Sequence, residues 1–320
     1  MILITGGLGF IGSHTARALA DLGEGSVLVQ RRKADPPPDL PKAAVERTDI
    51  QDLDSLLDIG RRHKITGIVH LAGSMPFPPD PARPVEQTRD SLDGLFNVVR
   101  AAREWGVGRV GVASTIGVYG GVAGHGPLGA GEGPLREDMP LPMSTWHTIP
   151  TFKKIGELLT GHLADATGID IVNYRISGVW GPGDPHRALF FAAPQLVHAA
   201  VRGTEPDLSA LERPAHAEDS LDLCYVKDIA RAIALLQVTD RLEHRTYNVA
   251  SGRATTNAEI IAAIKKVIPD AKVDLPTGGD ERQNYLDITR LRQDTGFEPE
   301  YDTERATADY IAWLRAGNEF

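Results

Sequence analysis

Apolar positions along this chain follow two alternating periods. Short runs dense in β-branched residues, Ile2-Leu3-Ile4, Ser26-Val27-Leu28-Val29-Gln30 and Ile65-Thr66-Gly67-Ile68-Val69-His70-Leu71, read as buried strands. Between and after them a helical spacing covers residues 52–63 and 85–105, followed by a strand at 109–114, a helix over 150–167 and a strand at 169–175. Strands that alternate with helices build βαβ units, so the predicted class is α/β, a doubly wound parallel sheet of Rossmann type covered on both faces. Beyond 175 the pattern loosens into a helix over 189–201, polar loops at 205–219, a helix opened by the capping box Thr256 and Glu259, and an amphipathic tail at 303–314. The predicted division is a dinucleotide-binding domain at 1–175 and a smaller, interleaved substrate-binding region at 176–320, with segments near 222–250 returning to the first. Two stretches break the periods. The prolines of 35–41 make a stiff surface connection, and the Gly- and Pro-rich stretch 120–148 is long enough in a compact domain to be functional or disordered.

Composition narrows the partners. The 320 residues carry a formal net charge of -9, which argues against nucleic acid or an anionic membrane as the main partner. Cys224 is a single cysteine and cannot form an internal disulfide, and the Cys/His spacings of a metal site are absent. Cys224 itself lies in an apolar strand pattern and is expected to behave as a small buried hydrophobe. A strand that starts at Ile2 leaves no room for a leader, and no run of about 18 apolar residues occurs, so a cytoplasmic location is expected.

The chemistry begins at Thr5-Gly6-Gly7-Leu8-Gly9-Phe10-Ile11-Gly12, directly behind the first strand and at the head of a helix. Glycines spaced three apart in that context make the turn, the close backbone approach and the helix–strand packing that a dinucleotide pyrophosphate requires. Gly6, Gly9, Phe10, Ile11 and Gly12 are therefore the expected phosphate-side contacts, with the helix N-terminus facing the negative charge. At the end of the second strand stands Gln30, followed by Arg31 and Arg32. With no carboxylate to repel a 2′-phosphate and two guanidiniums to bind it, NADP is favoured over NAD.

Taken together with Ile68-Val69-His70-Leu71-Ala72-Gly73, Ser114-Thr115-Ile116-Gly117-Val118-Tyr119-Gly120, Arg175 through Gly181-Pro182, Tyr225-Val226-Lys227-Asp228-Ile229-Ala230 and Tyr247-Asn248-Val249-Ala250-Ser251-Gly252, the chain resembles the extended short-chain dehydrogenase/reductase family of nucleotide-sugar epimerases, dehydratases and related reductases. The resemblance implies that Asp49-Ile50 contacts the adenine, that Leu71, Ala72 and Gly73 line the cofactor, that Thr115 polarises the substrate oxygen, and that Lys153 binds the nicotinamide ribose and tunes the local charge. It also implies a homodimer formed through the helices 85–105 and 150–167. The tyrosine expected four residues before Lys153 is Ile149, which carries no proton. His147 is the candidate replacement, because imidazole titrates near neutral pH, and a water is the alternative. His125 and Glu137 lie in the long loop and could enter a closed site, whereas Tyr119, His14 and His70 read as packing or surface residues. Three further departures bear on the substrate. Thr115 is followed by Ile116-Gly117 rather than an Asp-Glu pair, which leaves elimination poorly supported. Gly178 stands for an asparagine and Leu221 for a diphosphate-binding arginine, which together disfavour a nucleotide sugar. The expected function is an NAD(P)-dependent oxidoreductase or epimerase acting on a small hydroxylated or carbonyl substrate. Two alternatives stay open: a cofactor-holding enzyme with lyase or isomerase chemistry, and a catalytically silent NAD(P)-binding protein.

Overall fold

The computed structural model describes residues 1–32, 39–40, 43–73, 82–122, 133–145, 147–184, 188–279 and 285–318. Most of the proline connection and His125 lie outside the described residues. The N-terminal half runs β1 (Ile2–Thr5), α1 (Phe10–Asp21), β2 (Ser26–Gln30), β3 (Ala43–Arg47), α2 (Leu53–Arg62), β4 (Gly67–His70), α3 (Pro84–Trp105) and β5 (Arg109–Thr115). A 3-10 turn (Ile116–Tyr119), β6 (Pro134–Leu135), α4 (Thr148–Thr167), β7 (Asp170–Ile176), β8 (Gly178–Trp180) and α5 (Ala193–Arg202) follow. The remainder is β9 (Ser220–Leu221), β10 (Leu223–Tyr225), α6 (Val226–Val238), β11 (Thr246–Val249), β12 (Thr255–Thr256), α7 (Asn257–Val267), β13 (Tyr285–Leu286), α8 (Thr289–Thr295) and α9 (Thr303–Arg315).

Seven strands form one parallel sheet in the order β11-β7-β5-β4-β1-β2-β3. Strands β2 and β3 extend to one side of β1 and β4 onward to the other, so the winding reverses between β1 and β4. In an open sheet of this kind the crevice beyond the carboxyl ends at that reversal is where ligands sit. Both faces are covered, which is why the strands read as continuous apolar runs. Ile4, Leu28, Val69 and Val172 pack with Leu19 of α1 and Ile229, Ile233 and Leu236 of α6. Leu3, Val27, Val29 and Ile68 pack on the opposite face with Leu56 and Ile59 of α2, Val98 of α3 and Ala164 of α4. A separate cluster joins Trp180, Leu196, Tyr225, Ile260 and Tyr310, from β8, α5, β10, α7 and α9.

The periodic reading and the structure agree closely over the sheet, and β2 occupies the residues expected of it. The helix expected from 189 instead starts at Ala193, because Pro194 stands in its first turn, where a missing N–H costs nothing. The capping box forms: Thr256 Oγ1 accepts from Glu259 N at 3.1 Å and Glu259 Oε2 accepts from Thr256 N at 2.8 Å.

A buried ion pair ties the late segments to the sheet. Arg175 on β7 donates to both oxygens of Glu157 on α4, with Nη2 to Oε2 at 2.7 Å, and the two side chains are 6% and 11% exposed. Its Nη1 donates to Tyr119 Oη at 2.9 Å, and that hydroxyl donates to Asn248 Oδ1 on β11 at 2.7 Å. Removing one partner of such a pair strands a buried charge. Glu157→Leu is expected to lower stability by about 3–5 kcal/mol, and Glu157→Leu with Arg175→Met to recover most of that loss, read as midpoints in urea unfolding.

Candidate active site

The glycine turn closes the end of β1. Gly6 has φ +69, and a β-carbon there would lie 3.2 Å from Ala72 N, so the turn rests on the chain leaving β4. A β-carbon on Gly12 would stand 2.2 Å from Gly6 O, which is how α1 comes so close to the turn. Gly9 is exposed and caps α1 with no side-chain hydrogen bond, and no acidic residue stands in the first turn. The first-turn amides of Phe10, Ile11 and Gly12 therefore meet no competing carboxylate, and they fit the phosphates of a dinucleotide.

Thr5 organises the other side of the crevice. Its Oγ1 accepts from Leu71 N and Ala72 N, both at 3.1 Å, and lies 2.8 Å from His70 Nδ1. With both lone pairs used, the hydroxyl donates to Nδ1, and the ring proton of His70 sits on Nε2. Burial, reinforced by the charge of Lys153, lowers the His70 pKa to about 3, so the ring is neutral. His70, Ala72, Gly73, Ser91, Ser114, Lys153 and Glu157 line one cavity of about 50 Å³ between α3, α4 and the sheet. That space admits water.

Lys153 is the chemical centre of this cavity. Its Nζ donates to Ala113 O at 2.7 Å, and burial lowers its pKa from 10.5 to about 8, an effect that Glu157 partly offsets. Ser114 Oγ donates to Glu157 Oε1 at 2.5 Å. Thr115, at the end of β5, accepts from Gly117 N at 3.2 Å and caps the 3-10 turn, which leaves its own hydrogen for a ligand oxygen. Ile149 stands one turn of α4 before Lys153.

His147 is engaged by the backbone. It is the N-cap of α4, and its Nδ1 accepts from Ile149 N at 2.9 Å. That bond places the ring proton on Nε2, so in this tautomer one nitrogen is occupied by the backbone and the other already carries its hydrogen. Burial lowers the His147 pKa, which stabilises the same neutral form. Its ring lies 5.3 Å from that of Phe190. Proton uptake at Nδ1 would break the cap, so the expected proton carrier is placed as a helix cap. Glu137 is likewise inside the fold: its Oε1 accepts from Asn248 N at 2.9 Å, and Arg290 lies 3.7 Å from Oε2.

The region expected to hold the adenine is assembled by turns. Arg31 Nη1 lies 3.9 Å from Asp49 Oδ2, with the arginine side chain 63% exposed, and Arg32 is exposed beside it. Asp49 Oδ1 accepts from Gln51 N at 3.1 Å, and Asn97 Nδ2 on α3 donates to Ile50 O at 3.0 Å and Gln51 O at 2.9 Å. Gln30 ends the neighbouring strand β2. Sequence reasoning misses Asn97, whose signal is an amide on the apolar stripe of a helix, and it reads His70 as a packing or surface residue. His14 is another: its Nε2 lies 2.8 Å from Pro182 O, joining α1 to the loop after β8, and burial lowers its pKa to about 4. Cys224 is buried, and its thiol pKa is pushed up by burial. Among the described residues no cluster of His, Cys, Asp and Glu could hold a metal ion, and no helix is long and apolar enough to cross a membrane.

A family model described as the NAD dependent epimerase/dehydratase family matches residues 2–250. A UDP-glucose 4-epimerase of Azospirillum brasilense is 26% identical over 334 residues, covering 98% of this chain and 92% of that one. Among solved structures, the UDP-glucose 4-epimerase of Thermotoga maritima with UDP-glucose superposes with a TM-score of 0.81 at 22% identity, covering 99% of each chain. The UDP-glucose 4-epimerase of Thermus thermophilus in complex with NAD gives 0.76 at 24% identity, again over 99% of each.

Because His147 caps α4, His147→Ala is expected to cost about 1 kcal/mol of stability and His147→Asn to restore most of it, measured by chemical denaturation.

Proposed function

The chain belongs to the NAD dependent epimerase/dehydratase family, and from that premise we propose a nicotinamide-dependent enzyme for a small hydroxylated or carbonyl substrate in which Lys153 carries the proton. The observation that supports this most is the Lys153 amine, buried at the carboxyl end of β5 in the same cavity as Ala72 and Gly73. An ordinary lysine is fully protonated at neutral pH and cannot act as a base. At a pKa of about 8, roughly a tenth of it is neutral at pH 7, enough for general base work with a good driving force.

When bound, a nicotinamide would supply a hydride donor or acceptor. Thr115 donates its hydroxyl hydrogen to the substrate oxygen and orients it. Neutral Lys153 takes the proton of a substrate hydroxyl as that carbon is oxidised, and the ammonium returns it when the carbonyl is reduced. Water in the adjoining cavity exchanges that proton with solvent. Relatives named for epimerisation at a sugar 4-position support a secondary hydroxyl or its ketone as the reacting group.

For the cofactor, Gln30, Arg31 and Arg32 support NADP, since the Arg31–Asp49 contact at 3.9 Å is an exposed pair that a 2′-phosphate can displace. The related Thermus enzyme is described with NAD, and NAD is the alternative. Exposed Val85 and Leu158 on α3 and α4, 73% and 65% exposed, support a homodimer through those helices.

Lys153→Met is expected to lower kcat at saturating cofactor by at least about 100-fold, while cofactor binding, followed by fluorescence titration, is weakened by the lost ribose contact but still detected. In the wild type kcat/KM for substrate oxidation should rise with pH through about 8 and that for reduction should fall through the same value. Retained turnover in Lys153→Met, or profiles flat across that range, would remove Lys153 as the proton carrier. Replacing Arg31 and Arg32 by alanine is expected to weaken NADP about 10-fold or more and leave NAD unchanged, as read from paired binding titrations.

A further inference from the structure

His70 is a buried titratable group in the Lys153 cavity to which the reaction described above gives no task. It ends β4, in register with Val112 of β5, and is 7% exposed. One neighbour fixes its ring. Thr5 Oγ1 accepts from Leu71 N and Ala72 N, which occupies both lone pairs, so its hydrogen goes to His70 Nδ1 at 2.8 Å. Nδ1 is thereby an acceptor and Nε2 carries the ring hydrogen. Among the described residues no protein group accepts that hydrogen, and the ring lines the cavity of about 50 Å³ that it shares with Lys153 and Glu157. A buried N–H needs an acceptor, and the cavity is where this one finds it.

The same cavity offers a water the partners it needs, about two to four polar groups. His70 Nε2 is one donor. Ser114 Oγ, which spends its hydrogen on Glu157 Oε1 at 2.5 Å, and Asn173 Oδ1, which accepts from Thr160 Oγ1 at 3.0 Å, each keep a lone pair. Lys153 Nζ donates to Ala113 O at 2.7 Å and shares the cavity with the rest of its amine. A water that takes the Nε2 hydrogen on one lone pair turns its own hydrogens to the remaining acceptors, the neutral amine among them. In the opposite tautomer Nε2 would accept from that water, which would then offer its lone pairs to the ammonium. The ionisable groups of the lining are His70 on β4 and Lys153 and Glu157 on α4; α3 brings Ser91, β5 Ser114 and β7 Asn173, all uncharged. Glu157 is held by Arg175 at 2.7 Å. Burial, then the charge of Lys153, lowers the His70 pKa to about 3, so near neutral pH the ring acts on Lys153 through its tautomer and not through its charge.

We infer that His70, locked by Thr5 as an Nε2–H donor, is a positioning residue that binds a water against Lys153 and turns the hydrogens of that water toward the amine. The lock favours the amine over the ammonium and so poises Lys153 as a base. The inference rests on the reading of Lys153 as the proton carrier, and its test is independent of turnover. The full-length protein, free of cofactor and isotope-labelled at histidine and lysine, is titrated by NMR. The expected wild-type result is a neutral His70 with its hydrogen on Nε2 and a nuclear Overhauser contact from that hydrogen to a bound water. Thr5→Val releases the lock and is expected to raise the Lys153 midpoint by about one pH unit, leaving about tenfold less neutral amine near neutral pH, whereas Thr5→Ser keeps the wild-type midpoint. In a His70→Phe background the same Thr5→Val change is expected to leave Lys153 unmoved, because the ring no longer carries the effect. A wild-type ring protonated on Nδ1, a missing water contact, or a Thr5→Val shift that is absent or persists in His70→Phe overturns the inference. If Thr5→Val does not fold, the wild-type tautomer and water contact decide it. A flat pH profile of turnover counts against the proton-carrier reading instead and leaves these titrations standing.

Discussion

The ion pair between Glu157 and Arg175 is the constraint on which the rest of the site depends. Two charges this deep are costly to desolvate, and such a pair survives only when its remaining donors and lone pairs are also satisfied. Here they are met by parts of the chain remote in sequence. Ser114 donates to Glu157, while Arg175 reaches Tyr119 Oη and Glu137 O and lies over the Tyr119 ring at 4.8 Å. Asn248 closes the set by accepting from Tyr119 and donating to Leu135 O and Asp287 O. β5, residues 135–137, α4, β7, β11 and the segment before α8 are thereby fixed against one another. Lys153, one turn before Glu157, is carried into the crevice by the same arrangement.

That placement sets the proton chemistry available beside Ile149, where no phenol stands. A tyrosine needs a neighbouring positive charge to bring its proton into the neutral range; a lysine needs the opposite, removal from water. The shift of Lys153 from 10.5 to about 8 corresponds to about 3 kcal/mol of charge destabilisation, which the surrounding fold must sustain. His70 stands beside Lys153 as a neutral ring: Thr5 fixes its tautomer, and burial lowers its pKa.

Histidines also link the two halves of the molecule. His14 joins the glycine-turn helix to the loop after β8 through Pro182 O, and His147 lies against Phe190 while capping α4. Both rings are kept neutral by burial. Their function follows from which nitrogen the backbone engages, a property of geometry rather than of residue type.

The sequence by itself determined the sheet and the phosphate turn. Strand runs buried on both faces, helix periods and a glycine-spaced turn are local patterns, and each is set by neighbours a few residues away in the chain. It also showed that position 149 holds no proton. Only the tertiary structure decided the state of the groups around it, because the burial that lowers the pKa of Lys153 and the tautomer of His70 arise from groups far off in sequence, Ala113 and Thr5 among them.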